Sequence, residues 1–187
     1  MEHRHGDAMR CLFCILLALA MAGDGWAGQI FRGSTTGGGG GTLLAGNSSA
    51  EIFAWTADSN EGSHYDKFVA VASGNIAKGF ASLRASYETQ NCKMIVYSST
   101  GTILATSAPS AVTTTGGSFE FTFSSGSITS SSTYYIGTVC DGSVDRSGSS
   151  TAWASFHVAG TYASPANISS PEDNGASRGH LRIWITD

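Results

Sequence analysis

The chain has 187 residues, a length that suits one domain with or without a tail. Charged residues make up 13% of it, about half of what a soluble domain typically carries. The net charge is −4 and the ten basic residues form no cluster. This composition argues against a nucleic-acid ligand and against an anionic membrane surface, because both need clustered Lys and Arg.

The first 27 residues have the features of an export signal. Arg4 and Arg10 give a positive start, and an unbroken apolar run follows at 11–22. That run is shorter than the roughly 20 residues that span a bilayer. Small residues at positions 25 and 27 predict cleavage after Ala27. We therefore predict a secreted or cell-surface protein with no membrane insertion after cleavage; the alternative is an uncleaved anchor.

The remaining chain divides into two parts. Residues 28–49 are predicted to be flexible, because they include five consecutive glycines at 37–41. A phosphate-binding loop would need a strand before these glycines and a helix after them, and neither is predicted. Residues 50–187 are predicted to form one β domain, whose many Ser, Thr and Gly residues suit the wet strand faces and turns of an extracellular protein.

Two cysteines, Cys92 and Cys140, remain after the signal is removed. In an exported chain two thiols most simply form one disulfide; the alternative is two buried free thiols. Cys92 opens one predicted strand and Cys140 closes another. A bridge between them therefore predicts that the strands at 92–98 and 133–140 are antiparallel neighbours.

The pattern predicts an antiparallel β protein without helices. Short β-rich runs alternate with turn residues at the spacing of a sandwich or barrel. At 119–123, three phenylalanines alternate with Glu120 and Thr122, so one face is buried and the other is wet. The nine predicted strands are 50–57, 67–72, 76–86, 93–97, 102–107, 119–123, 133–140, 151–158 and 180–186.

The order of these strands resembles that of jelly-roll β-sandwich domains. Such domains recur in secreted bacterial proteins, in carbohydrate-binding modules and in phage tail-associated proteins. The resemblance covers roughly residues 50–186 and concerns core positions, so it implies a fold and a broad class and no specific ligand residue. The segments that carry it are 67–76, 94–98, 101–105, 119–123, 132–136 and 181–185.

One acidic loop is a candidate metal site. It offers Asp58, Asn60, Glu61 and Asp66 within nine residues, and calcium prefers six to eight oxygen ligands. The spacing is not that of a defined calcium loop, so solvated acidic turns are the alternative, there and at the smaller acidic loop 141–145. Structural calcium is the one cofactor considered, and otherwise none is expected.

Exposed aromatic rings are the candidates for ligand binding, because sandwiches bind sugars by stacking rings on the apolar sugar faces. The strongest candidate is Trp184, which shares a strand face with His180 and Arg182, opposite an apolar face. The alternative is that Trp184 covers the second sheet face beneath the long loop at 161–179. The other candidate rings are Trp55, Tyr87, Trp153 and Tyr162.

These observations favour a binding role over catalysis. The chain has no Gly-x-Ser-x-Gly motif, and no second acid pairs clearly with Glu120, as a glycosidase would require. We expect a non-catalytic extracellular module that binds a glycan or another cell-surface polymer through Trp184, Arg182, His180, Trp153 and Tyr162. The rival is a structural or adhesive subunit that self-associates through sheet edges or residues 28–49, and a jelly-roll glycoside hydrolase comes third.

Overall fold

The computed structural model describes residues 41–48, 63–147, 156–158, 160–171 and 181–187. Within these ranges the chain forms thirteen strands and no helix, and no segment there is a helix long and apolar enough to span a bilayer. The strands are Leu43–Gly46 (β1), Ser63–Val69 (β2), Gly74–Asn75 (β3), Lys78–Ala85 (β4), Gln90–Tyr97 (β5), Ile103–Thr106 (β6), Ser110–Val112 (β7), Gly117–Thr122 (β8), Ser127–Ile128 (β9), Thr133–Cys140 (β10), Val144–Arg146 (β11), Phe156–Val158 (β12) and Ile183–Thr186 (β13).

The described strands pair antiparallel throughout and form two large sheets and one small one. Sheet A has the order β1-β13-β4-β11, with β8 also paired to β4. Sheet B has the order β12-β2-β10-β5-β6, with β7 also paired to β5, and β3 pairs with β9. The pairs β1/β13, β2/β10, β4/β8 and β5/β6 follow one another along the chain and lie alternately in sheets A and B. The chain therefore runs as one long antiparallel ribbon folded between two sheets.

Both sheets contribute to one hydrophobic core. In β8, for example, Phe121 is fully buried on the face toward the core, while Glu120 on the opposite face is exposed. The predicted alternation of this strand is confirmed, as is the burial of Leu181, Ile183 and Ile185. The other large core side chains include Leu44, Leu83, Phe68, Met94, Val96, Ile136 and Phe123.

The structure differs from the predicted strands on the N-terminal side, and it also contains the short strands β3, β7, β9 and β11, which were not predicted. Strand β1 lies inside the segment 28–49 that was predicted to be flexible, because Leu44 enters the core and the strand pairs with β13. Strand β2 begins at Ser63 and ends at Val69, whereas 67–72 was predicted. The predicted strand 50–57 and most of 151–158 lie outside the described residues.

The predicted disulfide between Cys92 and Cys140 is confirmed. The two cysteines are directly opposite each other where β5 pairs with β10, and these strands are antiparallel neighbours as predicted. Cys92 is fully buried and Cys140 nearly so. The bridge therefore fastens together two central strands of sheet B at one end of their ladder.

A second apolar cluster lies on the outer face of sheet B. Its main members are Tyr65, Tyr97 and Tyr135, and the Tyr65 and Tyr135 rings meet edge to face at 5.6 Å between centroids. The segment 160–171 covers this cluster with Ile168, whose backbone N–H donates to the carbonyl of Gly101 at 2.9 Å. Sheet B is thus covered by apolar groups on both faces.

Gly137 makes room for the tyrosine cluster. It lies directly opposite Tyr65 in the β2/β10 ladder. A Cβ atom at Gly137 would overlap the backbone carbonyl oxygen of His64 and come within 2.8 Å of the Tyr65 Cβ. Backbone atoms of a central strand cannot move aside as the end of a flexible side chain can.

We expect Gly137→Ala to lower the free energy of unfolding by about 1–3 kcal/mol, the usual cost of an extra methyl group in a packed site. Equilibrium denaturation followed by tyrosine fluorescence measures this. The matched control is Thr106→Ala at an exposed position of the same sheet, which should change stability by less than about 0.5 kcal/mol. Equal stabilities for the two variants would contradict the packing argument.

Removing the disulfide should destabilise the domain strongly. The cysteines are 48 residues apart, and closing a loop of that length restricts the unfolded chain by about 4 kcal/mol. We expect the double variant Cys92→Ala and Cys140→Ala to lose most of that amount in chemical denaturation. A reductant should destabilise the native protein by a similar amount and leave the double variant unchanged; an effect of reductant on the variant would contradict this assignment.

Candidate ligand-binding site

The strongest predicted binding residue, Trp184, is buried in the structure. Its side chain is 6% exposed, and its ring stacks on Phe80 with centroids 5.1 Å apart and planes 18° apart. The Arg182 guanidinium lies 5.6 Å from the centre of the Trp184 ring and donates to the Ser82 hydroxyl at 3.1 Å. Desolvation by burial lowers the pKa of Arg182. Trp184 and Phe80 therefore cover the outer face of sheet A together, while the described loop segment 160–171 packs on sheet B.

Tyr162 is separated from Trp184 because it packs against the tyrosine cluster of sheet B. The Lys93 ammonium lies 4.3 Å from the centre of the Tyr162 ring and also donates to the Tyr162 carbonyl at 3.1 Å. Desolvation, followed by the charge of Asp141, raises the pKa of Tyr162. Residues His180 and Trp153 lie outside the described residues, so the predicted aromatic set is not assembled in the part of the chain that the structure describes.

Asp66 is the predicted metal ligand that lies among the described residues. It is fully buried. One carboxylate oxygen accepts from the backbone N–H of Lys67 at 2.7 Å and the other from that of Leu181 at 2.9 Å. Asp66 therefore links sheet B to the residue that leads into β13.

The other residues of the predicted calcium loop, Asp58, Asn60 and Glu61, lie outside the described residues. Among the residues that are described, no group of three or more His, Cys, Asp or Glu side chains has the geometry to hold a metal ion.

An open cleft of about 520 Å³ lies at the end of sheet A where β4 leaves the ladder. Its lining includes residues 84–87 at the end of β4 and Thr114 from the turn between β7 and β8. Ser143, which precedes β11, and Asp145 in β11 complete the described lining. The Tyr87 side chain is 89% exposed at its rim. The volume lies within the range of small-molecule sites.

A network of polar groups lines this cleft. Arg84 donates from Nε and Nη2 to one carboxylate oxygen of Asp145, at 2.9 and 2.6 Å. The Ser86 hydroxyl donates to the other oxygen at 3.3 Å and lies 3.1 Å from the Ser143 hydroxyl. The Asp145 side chain is 7% exposed and that of Arg84 is 39% exposed. The carboxylate is thus held in place before any ligand arrives.

The alternation of β4 explains why these groups meet. Ala81, Leu83 and Ala85 point into the core, so the intervening Arg84 and the following Ser86 point to the outer face. Asp145 lies directly opposite Arg84 in the β4/β11 ladder. Opposite residues on one face of an antiparallel pair are close enough for an ion pair.

Sequence reasoning named Tyr87 as one of several rings and 141–145 as a solvated acidic loop, and it did not connect them. The available signal was the polar alternation at Arg84 and Ser86 next to an aromatic residue at a strand end. The partner across the ladder, Asp145, is 61 residues away, and that pairing is not visible without the sheet order.

Comparisons with protein-family models, with characterised proteins and with solved structures give no match for this chain. The function must therefore be argued from the site itself.

We expect Arg84→Gln to lower the free energy of unfolding by about 1–3 kcal/mol, because a nearly buried carboxylate loses two charge-assisted hydrogen bonds. Urea denaturation of Arg84→Gln, Asp145→Asn and the double variant measures the coupling between the two residues. The double variant should be less destabilised than the sum of the single variants. Strictly additive losses would show that the two groups act independently.

Proposed function

We propose that this protein is a non-catalytic extracellular binding module of the jelly-roll type, which binds a neutral glycan in the cleft beside Tyr87. The single observation that carries the proposal is the exposed Tyr87 ring next to a polar network that is already in place. A ring with an exposed face can stack on the apolar face of a sugar, while fixed polar groups hydrogen-bond the sugar hydroxyls.

The jelly-roll assignment is supported by the folded ribbon. Four successive antiparallel pairs lie alternately in two sheets that share one core. An extracellular location is supported by the disulfide, since such bridges persist in oxidising compartments. The leader-like residues 1–27 favour the same location.

The charge of the cleft favours a neutral ligand. Arg84 and Asp145 form an ion pair, so these two groups add no net charge to the surface that a ligand meets. Their oxygen and nitrogen atoms and the two serine hydroxyls suit neutral hydroxyl groups. An anionic polysaccharide would meet no excess of positive charge from this pair, in a protein whose net charge is already negative.

Binding is favoured over hydrolysis by the state of the carboxylate. Glycoside hydrolysis requires two carboxyl groups about 5–10 Å apart across the scissile bond. Among the described residues that line the cleft, Asp145 supplies one carboxyl group. Both of its oxygens already accept hydrogen bonds, one from Arg84 and the other from Ser86. Such a group is suited to positioning a ligand.

We expect Tyr87→Ala to weaken the binding of a neutral polysaccharide about tenfold, because a lost stacking contact costs about 1–2 kcal/mol. Tyr87→Phe keeps the ring and should bind nearly as the native protein does. Affinity electrophoresis through gels containing a β-glucan, a galactomannan or the anionic polymer alginate measures both variants. The native protein should be retarded by a neutral polymer and not by alginate.

Two outcomes would overturn the proposal. One is retardation of Tyr87→Ala equal to that of the native protein, which would move any glycan site elsewhere. The other is no retardation in any gel, combined with elution as ordered polymers in sizing chromatography. That combination would support the rival role as a self-assembling surface subunit.

A further inference from the structure

Two histidines face each other at the edge of sheet B. His64 in β2 lies directly opposite His157 in β12, and β12 ends the order of described strands in that sheet. Directly opposite residues of an antiparallel pair project to the same face with Cβ atoms about 5 Å apart. The ladder therefore holds the two imidazole groups together.

The ring geometry suits a shared metal ion. The ring centroids are 5.1 Å apart and the ring planes are inclined by 54°. An ion bound to one nitrogen of each ring at about 2.0–2.1 Å holds the two nitrogens roughly 3 Å apart. Rings at this separation reach that spacing by small side-chain rotations. We propose that His64 and His157 form a two-histidine site for a divalent transition-metal ion such as Zn²⁺, Ni²⁺ or Cu²⁺.

One of the two histidines is buried and the other is exposed to solvent. His64 is 4% exposed, so its position is fixed by the surrounding strands. His157 is exposed, so an ion can arrive from solvent and keep water molecules in its remaining positions. Imidazole nitrogen selects zinc, nickel and copper over calcium and magnesium, which prefer oxygen.

The neighbouring charges do not oppose a cation there. Asp66 is two residues from His64 along β2 and therefore lies on the same strand face. Arg146 donates at 3.4 Å to the hydroxyl of Thr138, the residue opposite His64 in β10. Among the described residues, one buried carboxylate and one buried guanidinium, of opposite charge, therefore lie on the side of sheet B that His64 faces.

Thermal unfolding tests the site in protein purified without a polyhistidine tag and stripped with EDTA. We expect 100 μM Zn²⁺ or Ni²⁺ to raise Tm by about 3–6 °C, the effect of an ion at roughly ten times its Kd on a domain of this size. Equal Mg²⁺ or Ca²⁺ should not raise it. His157→Ala should abolish the shift, and it leaves the buried His64 in place, so folding is retained.

Two further measurements separate this site from the glycan cleft and from unspecific binding. Tyr87→Ala should keep the full metal-induced shift, and His157→Ala should keep glycan binding. The electron paramagnetic resonance spectrum of bound Cu²⁺ should show coupling to two imidazole nitrogens in the native protein, and His157→Ala should lose this two-nitrogen pattern. A shift that persists in His157→Ala, or one that Mg²⁺ reproduces, would overturn the proposal.

Discussion

The antiparallel register of the folded ribbon is the constraint on which the rest of this structure depends. It places Cys92 opposite Cys140, Arg84 opposite Asp145 and His64 opposite His157. A slip of one residue in any of these ladders would turn the side chains of that strand to the other face. The disulfide, the ion pair of the cleft and the histidine pair are therefore three chemical consequences of the same backbone geometry.

The hydrophobic pattern is what holds the register. In β4, the inward residues are small or aliphatic, while Phe80, Ser82 and Arg84 alternate with them on the outer face. Phe80 and Trp184 cover each other at one end of that face, and the face becomes polar and open at the Arg84 end. The candidate site thus lies where the apolar cover of sheet A stops.

Local alternation explains which parts of the fold could be predicted from sequence. The phenylalanines of β8 and the isoleucines of β13 alternate without interruption, and the presence of both strands and their core faces were predicted correctly, although β13 begins at Ile183 and is buried on both faces. Cys92 and Cys140 were correctly paired because the predicted signal cleavage would leave two thiols, and both lie at predicted strand ends. For the two strands, the information lies within a few neighbouring residues.

Non-local pairing explains what could not be predicted. Strand β1 follows a run of glycines and has four residues, so it carries little pattern of its own; its partner β13 lies at the other end of the chain. The sequence left two roles open for Trp184, ligand binding and covering a sheet face, and it did not indicate that Phe80 from β4 would pack on its ring. The cleft likewise needs β11 beside β4, which composition does not reveal.

The buried carboxylate of Asp66 shows what an acidic side chain can do once it lies in a strand. Asp66 was predicted as a calcium ligand because acidic and amide residues precede it. Its place in β2 turns it between the sheets, where both carboxylate oxygens accept backbone N–H groups. A buried carboxylate without partners would be costly, but one that accepts from Lys67 and Leu181 joins the two sheets.

The two proposed sites differ in how much their side chains must rearrange before a ligand binds. The Arg84–Asp145 pair is already hydrogen-bonded, so a glycan needs no rearrangement of charge and gains from a surface that is in place. In the histidine pair, His157 belongs to β12, which has three described residues and ends the order of described strands in sheet B. An ion that joined its two rings would fasten β12 to β2 directly, so metal binding there acts on strand association as well as on ligand capture.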